Sequence, residues 1–222
     1  MRVAAIIAPF VVAAAVGHTQ VIDGPFSIAV HQQIEPGRWG LQLTNTGAKP
    51  VVAWSFEVVD ADGHRHGSTR DVYVQLVGGR PGDSILQPGV PTVVDYRTAA
   101  RLDGATITPR AVVYADATAI GEAEAIERIF AARRAQADAL ADVIPKLEAL
   151  AQSGLTVESL TTASVALGDP TRQKRGSLVY QGLAQNLRLF STSPTPDVGF
   201  RHLLEEMRRE LVLAREHSFR RP

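Results

Sequence analysis

Two periodicities predict an α+β fold, an N-terminal antiparallel β-sandwich followed by a C-terminal set of about four helices. Between residues 39 and 116, apolar side chains fall on alternate positions in short runs separated by turn residues, the period of half-buried strands. From Gly121 onward they recur every three or four residues, the period of amphipathic helices. The organisation that follows is a leader over residues 1–17, a sandwich over 18–119 and a helical region over 120–222.

The leader starts with a single charge at Arg2, continues as an almost unbroken apolar run from Val3 to Val16, and ends in Ala15-Val16-Gly17. This pattern predicts a signal peptide cleaved after Gly17. The run falls short of the roughly 20 apolar residues a membrane-spanning helix needs, and no later segment approaches that length. No transmembrane helix is therefore expected after cleavage, and the expected location is secreted or periplasmic. The chain has no cysteine, so a lipoprotein anchor has no attachment atom.

In the strand region, Trp39, Leu41 and Leu43 share one face of a first clear strand, with Phe26 to Gln33 a further strand before it. Residues Asn45 to Pro50 form a turn cluster. After it Val52, Trp54, Phe56 and Val58 alternate, placing two aromatic rings on the core face of the most regular strand. Asp60-Ala61-Asp62-Gly63 reverses the chain, and Val72, Val74 and Leu76 predict the next strand over Asp71 to Leu76. In the segment Leu86-Gln87-Pro88-Gly89, Pro and Gly stand in the order of a type II turn. Strands around Thr92 to Arg97 and Ile107 to Asp116 complete the set, and this spacing points to an antiparallel sandwich.

The order Leu43-Thr44-Asn45-Thr46-Gly47, Ala53-Trp54, Val58-Val59-Asp60 with Gly63, Leu86-Gln87-Pro88-Gly89 and Val112-Val113-Tyr114-Ala115-Asp116 resembles immunoglobulin-like modules of exported bacterial proteins, in particular uncharacterised secreted proteins of soil bacteria. The resemblance spans about 80 residues and implies an immunoglobulin-like β-sandwich and an exported location. It brings no catalytic residues.

In the helical region, Ile126, Ile129, Phe130, Ala137, Leu140, Ile144, Leu147 and Leu150 form one stripe, with Glu122 and Glu124 at the favourable end of the helix dipole. Pro145 is expected to kink or split this helix, and Gly154 to end it. A short helix over Thr156 to Leu167, a third over Thr171 to Phe190 and a last one opening at Asp197 follow.

With 23 basic and 23 acidic side chains, no whole-chain field recruits nucleic acid. The lack of cysteine excludes thiolate zinc sites, thiol nucleophiles and redox motifs. Gly82-Asp83-Ser84-Ile85 resembles the nucleophile block of the Gly-Asp-Ser-Leu esterases, but Pro88-Gly89 follows where a helix should open, and no Asp-x-x-His occurs. His64 and His66 are the candidate metal ligands. On a strand, residues two apart face the same side, and Asp71 is within reach if the strands pair. Two imidazoles on a solvated hairpin supply too few ligands unless a third group is fixed nearby, so no melting shift with zinc is expected from this pair, and no cofactor is implied.

The expectation is an exported non-catalytic protein, a binding or envelope-associated module with a protein or cell-envelope partner. The alternative is a hydrolase or metal-dependent enzyme whose site is dispersed along the chain.

Overall fold

A computed structural model describes residues 20–21, 26–74, 85–169 and 177–221. The expected signal peptide and the Gly82-Asp83-Ser84 segment lie outside the described residues. The chain runs through β1 (Gln20–Val21), β2 (Phe26–Glu35), β3 (Arg38–Asn45), β4 (Val51–Val59), β5 (Arg65–Asp71), β6 (Thr92–Arg97), β7 (Thr106–Tyr114) and β8 (Ala119–Gly121). Four helices follow among the described residues: α1 (Ala123–Ser153), α2 (Val157–Leu167), α3 (Ser177–Phe190) and α4 (Pro196–Glu216). This is the expected α+β layout.

The strands form two four-stranded sheets, β1-β2-β3-β6 and β5-β4-β7-β8, and every pairing is antiparallel. The chain crosses between sheets after β3, after β5 and after β6, so that β6 returns to pair with β3 in Greek-key fashion. Between the sheets lies an apolar core. Phe26, Ile28, Trp39, Leu41 and Leu43 come from one side, and Trp54, Phe56, Val58, Ile107 and Val112 from the other. Trp54 is fully buried and Phe56 is 3 % exposed, as the alternation of β4 requires.

Val52 departs from that alternation. A bulge where β4 pairs with β7, between Val51 and Ala53, adds a residue to the pleat. Val51 therefore enters the core between the sheets, while Val52 and Ala53 face the helices.

The strand expected over Asp71 to Leu76 is a correction. The strand is instead Arg65–Asp71, Val72 and Tyr73 lie in a turn, and residues 75–76 fall outside the described residues. β5 is an edge strand, bonded only to β4, and most of its side chains keep contact with water. A polar sequence can form such a strand because the ladder comes from the backbone and only one partner has to be matched.

The outer face of the β5-β4-β7-β8 sheet is covered by the first half of α1. Val52, Ala53, Ala111 and Val113 pack there against Ala125, Ile126, Ile129 and Phe130. The 31 residues of α1 run about 46 Å, far enough to leave the sandwich and enter a second core. There Leu140, Val143, Ile144 and Leu147 meet Leu183 and Leu187 of α3 and Phe200, Leu203 and Met207 of α4. Pro145 does not split α1. Its ring is on the exposed side, while Val143, Ile144 and Leu147 are held in the helical core, so packing offsets the lost backbone bond. Gly154 ends the helix with φ +98°, a conformation that favours glycine. The described part of α3 begins at Ser177, so the expected start at Thr171 lies outside the described residues.

Candidate functional site

Among the described residues, three places stand out for polar chemistry or open apolar surface. The first is the β4–β5 hairpin, where both histidines predicted as metal ligands are found. Asp60 closes the turn: its backbone N–H donates to the His64 carbonyl at 3.0 Å, and its Oδ1 accepts from the N–H groups of Asp62 and His64 at 3.0 and 2.8 Å. Gly63, at φ +83°, lets the chain make this tight reversal. The other oxygen, Asp60 Oδ2, faces two imidazoles, His64 Nδ1 at 3.4 Å and His66 Nε2 at 3.2 Å. Asp62 and His64 each offer an atom that lies, with an Asp60 oxygen, in a group no wider than 4.8 Å. Burial alone would raise the Asp60 carboxyl. The hydrogen bonds from His64, His66 and Asp62 outweigh it and hold the group below its ordinary value.

His64 precedes β5 rather than lying on it, so the two rings meet through the turn and not through strand alternation. Asp71 does not join them. It ends β5, roughly 20 Å of strand away, with its carboxylate committed elsewhere.

That second place is the junction between sandwich and helices. Arg133 of α1 donates from Nε to Asp71 Oδ2 at 2.7 Å and from Nη2 to Asp71 Oδ1 at 3.1 Å. Its Nη1 donates to the His217 carbonyl at 3.0 Å, just past the end of α4. The guanidinium also lies 4.9 Å from the Tyr73 ring centre and 5.2 Å from that of Phe130, and Tyr73 stacks on the His217 imidazole at 4.3 Å. Burial pushes the Asp71 carboxyl up, against the pull of Arg133 and the Tyr73 N–H. Residues after α4 return to the sandwich, where the Arg221 N–H donates to the Ala117 carbonyl and Arg220 Nη2 to that of Ala119. This is a structural clasp, since both Asp71 oxygens and all three Arg133 nitrogens are occupied by protein.

Arg133 escaped the sequence reading, although a signal was present. It stands seven residues after Ile126 and seven before Leu140, on the apolar stripe itself, where a charge requires a buried partner.

The third place is a groove of about 530 Å³ where α2 diverges from the second half of α1. Val143, Leu147 and Leu150 line one wall and Ala163, Ala166 and Leu167 the other, with Lys146 and Ser153 the polar exceptions. The surrounding helices expose further apolar side chains: Val157, Val165, Leu189, Val198 and Val212 are each more than half accessible, from 55 to 72 %. Among the described residues no helix is long and apolar enough to cross a membrane.

No family model matches this chain, and no curated protein matches it in sequence.

Proposed function

We propose that this is an exported, non-catalytic binding module, acting in the periplasm or outside the cell, whose immunoglobulin-like sandwich carries a helical region that docks an apolar segment of a partner protein of the envelope. The observation that carries the reading is the open groove between α1 and α2, walled by alanine, leucine and valine. A concave apolar lining of this kind suits the burial of apolar side chains from a partner. Val157 and Val165 of α2, Leu189 of α3 and Val198 and Val212 of α4 are exposed as well. Support for export comes from the Arg2 start and the apolar run from Val3 to Val16.

The test has two arms. The chain recovered from periplasm or medium is weighed intact, and loss of about the first seventeen residues is expected. That mature chain is then compared, as bait in a native envelope extract, with a variant carrying Ala149→Glu and Ala166→Glu, both exposed positions on the groove walls. A protein retained by the wild type and lost from the variant supports the reading. A mature chain that keeps Met1, or identical retention by both baits, contradicts it.

A further inference from the structure

We infer that the β4–β5 hairpin is a binding site for a divalent metal of the zinc class, held by Asp60, Asp62 and His64, with His66 beside the Asp60 carboxylate. The inference is independent of the groove. What two imidazoles alone lack is a third ligand fixed beside them, and the fold supplies it in Asp60. The side chain of Asp60 is only 6 % exposed, and one of its oxygens is pinned by two backbone N–H groups. The free oxygen is thereby aimed at the histidines, a pre-oriented ligand of the kind that metal sites use.

The distances match the chemistry. Zinc bound to nitrogen and carboxylate oxygen at roughly 2.0–2.1 Å in a tetrahedron places neighbouring ligand atoms about 3.3 Å apart. Asp60 Oδ2 is 3.4 Å from His64 Nδ1, and Asp60, Asp62 and His64 each offer a ligand atom within one group no wider than 4.8 Å; His66 Nε2 stands 3.2 Å from Asp60 Oδ2. Without a metal, two imidazoles can approach one carboxylate oxygen only if each turns an N–H toward it. A divalent cation in that place would be met by the lone pair of each nitrogen, with the ring proton on the other nitrogen of the imidazole. The mixed nitrogen and oxygen set also separates this site from a calcium loop, which is built of oxygen alone.

The ligands Asp60, Asp62 and His64 follow one another at every second position, on a turn held by the Asp60 N–H bond to the His64 carbonyl and the Gly63 N–H bond to the Asp60 carbonyl. The site therefore exists before metal arrives, and little chain has to be ordered on binding.

Titration calorimetry of the purified full chain with zinc chloride near neutral pH tests this, with calcium chloride as the comparison. One equivalent of zinc is expected to bind and calcium to give no heat. Asp62 and His64 are exposed, so Asp62→Asn and His64→Ala leave the fold intact, which circular dichroism checks independently. Each is expected to weaken zinc binding at least tenfold. Absence of zinc binding to the wild type, calcium bound in place of zinc, or unchanged affinity in both variants would overturn the inference.

Discussion

Arg133 grips Asp71 through two hydrogen bonds, at 2.7 and 3.1 Å, from 62 residues further along the chain, and neither side chain is more than 5 % exposed. Asp71 ends the edge strand of the sandwich and Arg133 lies near the middle third of α1, so the pair sits where the two cores meet. The surrounding residues show why it persists. Tyr73, Phe130 and His217 enclose the guanidinium, and its third nitrogen, Nη1, donates to the His217 carbonyl.

Removing one partner leaves a charge buried without its counterpart. Asp71→Leu or Arg133→Met alone is expected to cost about 3–5 kcal/mol, whereas the two together cost clearly less than the sum. Urea midpoints of the three variants check this. Additive losses would show that the two residues act separately.

Trp54 gives a second, contrasting test. Its ring is fully buried against Phe26, yet its indole N–H finds no hydrogen-bond partner among the described residues. Trp54→Ala opens a cavity and is expected to cost about 3–5 kcal/mol. Trp54→Phe keeps most of the apolar contact and removes the unpaired donor, so its loss in the same denaturation experiment should be well under half of that.

Acid sensitivity follows from His217. Burial, and then the neighbouring Arg133 charge, hold its imidazole below the ordinary value. The unfolded chain therefore takes up a proton first, near pH 6.5, and stability falls as the pH drops from there through the lower value of the folded protein. His217→Gln should flatten the dependence of the melting temperature on pH in that window. A slope unchanged by the substitution would place the acid response elsewhere.

Because α1 belongs to both cores, sandwich and helices are expected to unfold together. Both tryptophans, Trp39 and Trp54, lie in the sandwich, so their fluorescence reports that part, while the circular dichroism of helices reports the other. Coincident urea transitions are expected. Helical signal lost at lower urea than fluorescence would mean that the clasp is too weak to couple the two.

Much of this architecture is written in periodicity. Trp39, Leu41 and Leu43, and then Trp54, Phe56 and Val58, are legible as core faces because each strand packs one side on the other sheet. β5 was illegible for the opposite reason: as an edge strand with water along most of its length, Arg65 to Asp71 carries no apolar alternation. The Val52 bulge and the unbroken passage of α1 through Pro145 depend on contacts from distant segments, which local pattern does not contain. At the hairpin, the sequence exposed His64 and His66 but not the placement of Asp60, whose carboxylate the turn folds back between them. The groove was illegible altogether, being a space between two helices rather than a pattern in either.

The proposed role in binding is tested most directly by a photo-crosslinking residue placed at position 166, on the groove wall, in cells that make the protein naturally, with position 93 on the sandwich as the control. Both native residues, Ala166 and Val93, are exposed, so neither replacement disturbs a core. The account predicts a covalent adduct to one envelope protein from position 166 and none from position 93. Equal labelling at both positions, or no adduct at 166, would contradict it.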